Sequence, residues 1–545
     1  MTLETFNKRS RPSLFHRLTD QQFDLLVIGG GITGASIFRD AALRGMKVAL
    51  VEAKDFASAT SGRSSKLIHG GLRYIKNLGL GLARESCHER NLHMRLNKRL
   101  VRPLPFLVPL YRNRGERRWL MRLGMLAYEA LSGFNNYRFH SFLNREETLS
   151  LAPALPAHGL TGGCLYYDAV INDSRWTIEV LKDGVAHGGV AVNYAAVTQL
   201  LGENNRLNGA RVYDELSGSH YDIRARVIVN ATGIFTDQVR RLDGDNTTKP
   251  KRLSKGTHLV FAEADVPLST TIVFSSPLDG RSLFLAKHEE CFLYGTSDHW
   301  EAANPDLPVP GPADVDYLLA SLHRFMPEAQ LDRGKVQFVY SGFRPLFVNG
   351  DQTDSSSVTR ADHIEVSASG LVNVVGGKLT TARITAERVL DRVIRLSGRN
   401  RAWSRCTTDK VSIGGTNEAV AESMAYWVRR CPRLASYFRV LYQRYGLDAN
   451  EICGEVTRLQ EGGDPTAEPI RAEVQYVCRH EMVCTLEDLI DRRAGFLYWN
   501  AEKRLERLRY GAQVIRAELD LSEAEFESQW LAYREHLKRF HSLPE

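Results

Sequence analysis

The order of hydrophobic and polar positions near the start of the chain predicts a strand, a helix and a second strand. Residues 25–28 (LLVI) form a short apolar run, helical periodicity follows as far as Gly45, and the segment KVALVE ends on Glu52. A strand–helix–strand unit of this kind opens a doubly wound parallel sheet. We therefore expect an α/β fold of the Rossmann type.

The glycines between the first strand and the helix indicate a dinucleotide site. Gly29, Gly31 and Gly34 form the pattern GxGxxG. The first permits a tight turn, the second lets the backbone approach a pyrophosphate, and the third lets helix and strand pack closely. Glu52 follows at the spacing of the acid that accepts a ribose hydroxyl. A glycine-rich turn of another α/β fold is the alternative, and Phe38, where small residues usually face the sheet, predicts looser helix packing.

The rest of the chain divides by its patterning into three further parts. In residues 255–345, β-forming stretches alternate with turns, which predicts an antiparallel sheet that caps the cofactor, the alternative being a β-rich insertion without a ligand role. Residues 400–545 have helical periodicity with Arg and Glu pairs, which predicts a helical domain packed on the catalytic body and able to form a homodimer. We expect a cofactor-binding domain at 20–254, the cap at 255–345, a return to the first domain at 346–398, and the helical domain at 400–545.

Three later segments favour FAD over NAD. They are TSGRSSKLIHGGLRY at 60–74, VIVNATGIFTDQ at 227–238 and LVNVVGGKLTTAR at 371–383. The second predicts a strand that leads into a turn beside the adenosine half of the cofactor. The third predicts a strand, two glycines and a helix start, which brings a positive helix end and Lys378 to one spot. Such a spot suits negative charge developing on the N1/O2 edge of a flavin.

A series of motifs resembles, in order and spacing, the FAD-dependent glycerol-3-phosphate dehydrogenases of the D-amino-acid-oxidase-like flavoprotein superfamily. The motifs are GGGITGA, TSGRSSKLIHGGLRY, ATG, KGTHLV, GTSD, YSGFRPL and GGKLTTAR, over about residues 23–395. Residues 473–498 look like the C-terminal helical domain of the family. The resemblance implies oxidation of glycerol 3-phosphate to dihydroxyacetone phosphate, with a hydride passing from C2 to flavin N5 and electrons passing on to a membrane quinone.

The expected cofactor contacts lie in the glycine turns and in the three FAD segments. Hydroxyls and a cation in residues 60–66 suit the phosphates or the ring edge, although the serines are also typical of simple loop capping. His69 is expected beside the isoalloxazine. The predicted cofactor-binding residues are Gly29, Gly31, Gly34, Glu52, Thr60, Ser61, Ser65, Lys66, His69, Ala231, Gly233, Gly377, Leu379 and Thr380.

Glycerol 3-phosphate carries a dianion at one end and a secondary alcohol at C2, so its site needs fixed cations and a proton acceptor. The predicted catalytic residues are His258, Arg344 and Lys378. His258 is the expected base because imidazole titrates near neutral pH. Arg344 is expected to polarise the C2 oxygen or to hold the phosphate. The resemblance places around the substrate Arg73, Tyr74, Thr296, Arg344, Arg360 and Lys378.

Other activities remain open from the sequence. Related oxidases pass electrons to oxygen, although they carry an insertion in mid-chain that is not recognised here. An amine or amino-acid oxidoreductase is a further alternative, since a carboxylate would use the same arginines. A nucleic-acid-binding protein is disfavoured because positive charge is confined to one segment and no nucleic-acid module is recognised.

Composition constrains the class of protein and its location in the cell, and it says little about the reaction. Among 545 residues, 43% are hydrophobic and 25% charged, which excludes wholesale disorder. No apolar run approaches the roughly 20 residues of a membrane span, and no secretory leader is recognised, so we expect a cytoplasmic protein. The eight cysteines are scattered without a CxxC pair, and no His cluster has zinc-ligand spacing, so free thiols and no metal are expected.

Most of the net charge of +7 comes from one segment. Residues 95–122 hold nine Lys and Arg residues against a single Glu, among apolar residues of a Pro-bounded loop and an amphipathic helix. This pattern is typical of contact with an anionic membrane surface. We therefore expect a membrane-facing segment at 95–135 and peripheral association with the inner face of the cell membrane, the alternative being an ordinary charged face above a core helix.

Overall fold

The structure is a computed structural model, and it confirms the predicted fold class: a Rossmann-type α/β domain, an antiparallel sheet and a C-terminal helical domain. All eight cysteines are free thiols. Among the described residues, no helix is both long enough and apolar enough to cross a membrane. The residues that the structure describes are 6–72, 79–112, 118–244, 253–301, 308–346, 361–398, 403–459, 467–494 and 501–544.

Strands and helices are interspersed as far as residue 375, and helices alone follow among the described residues after residue 380. The strands are β1 Gln22–Ile28, β2 Val48–Val51, β3 Leu67–Ile68, β4 Arg102–Tyr111, β5 Ser141–Leu143, β6 Leu160–Val170, β7 Val190–Val192, β8 Ala195–Glu203, β9 Arg206–Asp214, β10 Ser219–Asn230, β11 Leu253–Ala262, β12 Thr271–Ser275, β13 Ser282–His288, β14 Cys291–Gly295, β15 His299–Glu301, β16 Val336–Arg344, β17 His363–Val366 and β18 Val372–Val375. The α-helices are α1 Arg11–Asp20, α2 Ile32–Leu43, α3 Leu80–Leu96, α4 Arg118–Leu131, α5 Arg145–Leu151, α6 Asp173–Ala186, α7 Thr236–Leu242, α8 Pro312–Phe325, α9 Ala382–Ser397, α10 Asn417–Arg430, α11 Ala435–Tyr445, α12 Ala449–Leu459, α13 Ala467–His480, α14 Ala501–Leu519 and α15 Glu523–His541, with a π-helical turn at Asp488–Arg493.

The first sheet has eight described strands, and its parallel centre runs in the order β18-β10-β1-β2-β7. Strand β17 pairs with β18 at one edge, and β8 and β9 extend the sheet from β10, all antiparallel. The parallel strands are almost continuously buried because helices cover them. Their carboxyl ends meet at one edge, where the glycine turn after β1 lies.

The expectation of loose packing at Phe38 is wrong. Phe38 is fully buried on α2 and contacts α6, which crosses it. The space for the ring comes from Gly184 and Gly189, where an added Cβ would lie 2.6 Å or less from ring atoms of Phe38. A large residue on α2 is therefore accommodated by one glycine of α6 and one in the turn that follows α6.

The second sheet has ten described strands and differs from the predicted cap in its membership. Besides β11–β16 it includes β3, β4, β5 and β6, which the sequence analysis assigned to the cofactor-binding domain. Strand β4 also replaces the expected Pro-bounded loop. Its prolines, Pro103, Pro105 and Pro109, occupy alternate positions, so their missing N–H groups all fall on one edge. The Pro105 carbonyl on that edge accepts from Thr270 before β12, which leaves the other edge to pair along β6.

The C-terminal helices have a core of their own and are tied to the catalytic body by buried ion pairs. Arg175 of α6 binds Glu481 with a separation of 2.7 Å between Nη1 and Oε2. Arg493 binds Asp55 in the loop after β2 with a separation of 2.7 Å. At the end of α15, the ring of His541 stacks on Phe338 of β16 with centroids 4.4 Å apart. The helical domain thus supports both sheets.

Candidate active site

A cavity of about 1730 Å³ lies between the two sheets. This is larger than the ~300–1,000 Å³ of a pocket for one drug-sized ligand, so it has room for a dinucleotide and a substrate together. The glycine turns of the first sheet line one wall, and strands β11 and β16 line the other. Most of the predicted site residues meet here: Gly29, Gly31, Glu52, Thr60, Ser61, Ser65, His69, Ala231, Gly233, His258, Thr296, Arg344, Gly377, Lys378, Leu379 and Thr380.

The wall formed by the first sheet is built from backbone. Gly29 has φ +110°, a conformation that favours glycine, and a Cβ on Gly34 would overlap its carbonyl oxygen. The Glu52 carboxylate accepts from the N–H of Gly30 at 2.6 Å, and burial raises its pKa. Ser61 Oγ accepts from the N–H of Ile32, the first residue of α2, at 2.9 Å. A phosphate at this helix N-terminus would meet the same donors.

The predicted adenosine turn lies beside this wall. Ala231 donates its N–H to the Ile28 carbonyl at 2.9 Å, and a Cβ on Gly29 would lie 2.7 Å from the Ala231 carbonyl oxygen. Gly233 has φ +60°. Because the turns at Gly29 and Ala231 approach closely, only backbone atoms separate the ends of β1 and β10 at the edge of the cavity.

The turn after β18 brings Lys378 into the cavity, although its helix starts later than the sequence indicated. Gly376 and Gly377 have φ +77° and +94°, and α9 begins at Ala382 after a further turn. The prediction of a helix start directly after the glycines is therefore wrong by about one turn. Lys378 Nζ donates to Ser86 Oγ of α3 at 3.2 Å, and Thr380 Oγ1 accepts from the His69 N–H at 3.3 Å.

Strand pairing places the ionisable residues of the opposite wall. On β11, His258 pairs with Tyr340 of β16 and with Gly295 of β14, and Ser254 pairs with Arg344. Thr296 directly follows β14. The imidazole of His258 stacks on the Tyr340 ring with centroids 4.7 Å apart and planes 9° apart.

Arg344 is held by a shell of hydroxyls and one carboxylate. Its Nη1 donates to Ser254 Oγ at 2.9 Å and lies 3.1 Å from Asp298 Oδ1, while Nη2 donates to Thr296 Oγ1 at 3.0 Å. A Cβ on Gly256 would collide with the guanidinium and with Thr296. The guanidinium is therefore fixed in position at the cavity wall, as recognition of an anionic group requires.

The electrostatics of His258 differ from the sequence argument. Burial, together with the charges of Arg344 and Lys66, lowers the pKa of His258 to about 3. The expectation that this imidazole titrates near neutral pH is therefore wrong for the ligand-free cavity. The neutral ring keeps a lone pair, and its Nε2 lies 2.9 Å from Ser65 Oγ. Nδ1 is buried, and no described residue bonds it.

Two predicted cofactor residues do not line the cavity. Gly34 lies beneath Gly29, where it permits the turn. Lys66 is fully buried, and its ammonium group forms an ion pair with Asp173, which also accepts from Ser64 Oγ at 2.7 Å. Since that carboxylate holds the lysine, the predicted contact between Lys66 and a cofactor phosphate has no support from its side chain. Three further predicted substrate residues lie outside the described residues: Arg73, Tyr74 and Arg360.

Three charged residues of the cavity wall, Asp168, Arg281 and Asp298, were not predicted from the sequence. Asp298 joins Arg344 to Arg281, whose Nη1 lies 2.8 Å from Asp298 Oδ2. Asp168 accepts from the Gly70 N–H at 3.2 Å and from Tyr128 at 2.6 Å, which fixes the turn after His69. Asp298 was within reach of sequence reasoning, because it ends the quoted motif GTSD. Asp168 carries no such local signal.

Comparison with known proteins agrees with this geometry. The model of the FAD dependent oxidoreductase family matches residues 24–392, and that of the C-terminal domain of alpha-glycerophosphate oxidase matches residues 406–526. The aerobic glycerol-3-phosphate dehydrogenase of Staphylococcus saprophyticus is 32% identical over 527 residues, covering 94% of this chain and 93% of that one. The Staphylococcus aureus protein of the same name is 31% identical over 549 residues, covering 99% and 97%.

Two solved structures extend the likeness. The glycerol-3-phosphate dehydrogenase of Bacillus halodurans, complexed with FAD, has a TM-score of 0.80 at 29% identity, covering 98% of both chains. The L-alpha-glycerophosphate oxidase of Mycoplasma pneumoniae with FAD bound has a TM-score of 0.54 at 15% identity, covering 72% of this chain and 99% of that one, and shows the fold alone. The chain therefore belongs to the family of FAD-dependent oxidoreductases. Its cofactor is FAD, and within the family it is one of the glycerol-3-phosphate dehydrogenases.

The residues present fit FAD. The glycine turn, the N-terminus of α2 and Ser61 provide donors for the pyrophosphate, and Glu52 provides the acceptor for a ribose. Lys378 and the turn at 376–381 lie at another part of the same cavity, where they would face the ring edge. The cavity thus offers contacts along the length of a dinucleotide.

Proposed function

We propose that the enzyme oxidises sn-glycerol 3-phosphate to dihydroxyacetone phosphate and passes the electrons to a membrane quinone. The observation that carries the substrate assignment is the fixed guanidinium of Arg344 in the same cavity as His258 and the cofactor turns. The names of the relatives support the same substrate. A dianionic phosphate is attracted by the charge of this guanidinium, whose Nη atoms already donate to Ser254 and Thr296.

Oxidation of the alcohol removes a hydride from C2 and a proton from the C2 hydroxyl. Bound FAD supplies the acceptor for the hydride. We assign the proton to His258 Nε2 through Ser65 Oγ, which receives the substrate proton as it passes its own across the 2.9 Å to the ring. The bound dianion favours the imidazolium that results, because it offsets the positive charges that lower the pKa of His258.

Lys378 and Arg344 have separate roles, one towards the cofactor and one towards the substrate. Lys378, whose ammonium group donates to Ser86, would face the cofactor ring and would stabilise negative charge there. Arg344 binds the phosphate or the C2 oxygen. Its hydrogen bonds to Ser254 and Thr296 hold the guanidinium in the same position when the substrate leaves.

Anaerobic spectroscopy of the purified holoenzyme tests the substrate. Glycerol 3-phosphate is expected to bleach the oxidised flavin band with a stoichiometry of one, and dihydroxyacetone phosphate is expected in the supernatant. Glycine, proline and glycerol at equal concentration serve as controls for an amino-acid substrate and for the need of a phosphate. Bleaching by an amino acid and none by glycerol 3-phosphate would contradict the proposal.

The membrane part of the proposal rests on α4 and the residues after it. One face of α4 is buried through Met121 and Met125, while the opposite face exposes Trp119 at 58% and Leu123 at 56%. Contiguous exposed apolar groups of this kind mark an interaction surface. We use the name α4 face for the exposed apolar residues of α4 and of the segment that follows it: Trp119, Leu120, Leu123, Leu126, Phe134, Tyr137 and Phe139.

Cations surround the α4 face, and the cavity reaches its underside. Arg118, Arg122 and Arg138 are exposed beside the apolar residues, as an anionic lipid surface requires. Met121 of α4 lines the cavity together with Phe106 and other apolar residues, so an apolar path links the site to the helix. This path suits entry of a lipid-soluble quinone.

Part of the predicted basic segment does not belong to this surface. Arg99 forms an ion pair with Glu179 and donates to the Arg444 carbonyl at 2.7 Å, so it contacts the helical domain. Residues 113–117 lie outside the described residues. We therefore place the membrane contact at 118–139 rather than at the expected 95–135.

Co-sedimentation with vesicles tests the α4 face. The double variant Leu123→Glu/Leu126→Glu is expected to lose at least about tenfold in binding to anionic phosphatidylglycerol vesicles, since each change replaces apolar burial by a charge. The matched control is Leu531→Glu, because Leu531 is exposed to the same extent, 57%, on α15. Equal binding of both variants would contradict the α4 face. A turnover with oxygen faster than that with a soluble quinone would contradict the acceptor.

A further inference from the structure

Three ligand-type side chains converge between the helical domain and β16, away from the residues of the mechanism. Asp491 lies in the π-helical turn, and His536 and His541 lie in α15. His536 Nε2 is 3.2 Å from Asp491 Oδ2, His541 Nε2 is 3.6 Å from the same oxygen, and the two Nε2 atoms are 3.2 Å apart. All three side chains are nearly inaccessible to solvent.

These distances match one triangular face of a tetrahedral metal site. With metal–ligand bonds of ~2.0–2.2 Å to His nitrogen and carboxylate oxygen, the ligand atoms of a tetrahedron lie about 3.3–3.6 Å apart. Two imidazole nitrogens and one carboxylate oxygen are ligands that first-row divalent ions accept, zinc above all. The fourth position would be open to water.

The other polar atom of each side chain is held by a partner that orients it. His536 Nδ1 lies 3.3 Å from Glu487 Oε2, and His541 Nδ1 lies 3.3 Å from the Val339 carbonyl oxygen. Asp491 Oδ1 accepts from the Tyr533 hydroxyl at 2.8 Å. A hydrogen-bond acceptor on each Nδ1 selects the tautomer whose Nε2 carries a lone pair. Three electron-rich atoms then face one another, an arrangement that a cation between them would stabilise.

We propose that Asp491, His536 and His541 form a structural binding site for a divalent transition-metal ion of the zinc class. Glu487 is not a ligand in this arrangement but orients His536, and it adds a second negative charge to that of Asp491. The sequence predicts no metal site, because His536 and His541 are five positions apart and Asp491 lies in a separate segment. The last turn of α15, where the helix ends, brings the two rings together.

The site would fasten the end of α15 to the wall of the active site. His541 bonds Val339, the residue before Tyr340, whose ring stacks on His258. Asp491 precedes Arg492 and Arg493, which bind Asp55 in the loop after β2. A metal ion here therefore joins supports of both walls, without touching substrate or cofactor.

Metal binding by the full-length holoenzyme tests the proposal. After treatment with EDTA and gel filtration, the wild-type protein is expected to bind about one equivalent of Zn²⁺ in competition with a chromophoric chelator. Loss of a ligand in His536→Ala or His541→Ala is expected to weaken that binding at least about tenfold. The control is His16→Ala, because His16 forms an exposed pair with Asp20 at 2.6 Å and has no third ligand. This variant is expected to bind Zn²⁺ like the wild type.

A second measurement needs no variant. Zn²⁺ is expected to raise the melting temperature of the EDTA-treated wild-type holoenzyme, and Co²⁺ is expected to give the absorption of a tetrahedral site to the red of the flavin bands. Less than about 0.1 equivalent bound, or no change in melting temperature, would overturn the proposal and indicate shared protons between the rings. Equal weakening in His16→Ala would also overturn it, because the binding would then be adventitious. Flavin bleaching by glycerol 3-phosphate is measured separately, so the outcome is independent of the proposed activity.

Discussion

The two walls of the cavity are built by different means. The wall of the first sheet uses backbone groups: the turn at Gly29, the N-terminus of α2 and the glycines after β18. The wall of the second sheet uses side chains, above all His258 and Arg344, held by strand register and by a shell of hydroxyls. A substitution in the backbone wall changes the shape of the binding site. A substitution in the side-chain wall changes the reacting groups while the strands keep their positions.

The largest expected effect comes from Gly34→Val, which breaks the backbone wall. The new side chain would overlap the Gly29 carbonyl, so the turn must open and the pyrophosphate site is lost. We expect purified protein with less than about a tenth of the wild-type flavin content, measured by absorbance after denaturation. The control is Gly81→Ala, because a Cβ there meets no atom within 4 Å. Normal flavin content in Gly34→Val would refute the role of this close approach.

On the side-chain wall, His258→Gln is expected to remove the proton acceptor while flavin stays bound. Loss of a general base lowers kcat by about 10²–10⁴-fold. Stopped-flow bleaching without oxygen measures the step directly, and Ser65→Ala is expected to slow it as well, by a smaller factor. His288→Gln is the matched control, because His288 is also buried in the same sheet but does not line the cavity. Equal rates in both histidine variants would remove His258 from the mechanism.

Arg344→Ala is expected to lower kcat/KM by roughly a hundredfold, about 3 kcal/mol, because a buried dianion loses its fixed partner. Arg344→Lys keeps the charge but not the paired hydrogen bonds, so it should recover only part of the loss. Steady-state kinetics with a soluble quinone measure both. Arg211→Ala, which alters an exposed ion pair on the first sheet, serves as the control. A kcat/KM within threefold of wild type in Arg344→Ala would place the phosphate elsewhere.

A final effect concerns stability in acid rather than catalysis, and it compares a buried histidine with an exposed one. Burial and the charges of Arg383 and Arg39 lower the pKa of His93 to about 3 from the ordinary 6.5. Its neutral form therefore contributes stability that is complete above pH 6.5 and is lost as the pH falls towards 3. Over that range, the free energy of unfolding of His93→Gln should depend less steeply on pH, by up to about 1.4 kcal/mol per pH unit. Denaturant melts measure it, and an unchanged slope, equal to that of the exposed-site variant His323→Gln, would contradict the prediction.

The same contrast explains what the sequence could predict. The strand, glycine turn and helix at residues 25–45 follow from local chemistry, because backbone geometry selects glycine at fixed spacings. The FAD cofactor and the enzyme class, expected from the motifs, are confirmed by the family comparisons. Residues such as His258 and Arg344 were named through the resemblance, and their roles stay predictions.

Features that depend on distant pairing escaped the sequence analysis. The sequence predicts a Pro-bounded loop where strand β4 lies, and only its neighbours β6 and β12 explain how the prolines fit into a sheet. Phe38 was expected to loosen the helix because Gly184 and Gly189 lie far away in the chain. Asp168 and the cluster at Asp491 are likewise assembled from segments that no local pattern connects.

The contact between α15 and β16 has a consequence for biosynthesis. Strands β11 and β16 are made well before residues 523–541, yet His541 stacks on Phe338 and bonds Val339, next to the Tyr340 that supports His258. A ribosome releasing the chain in order therefore exposes the cofactor turns first and the support of the catalytic wall last. The catalytic wall of the nascent protein is therefore expected to reach its final arrangement only after residues 523–541 have left the ribosome.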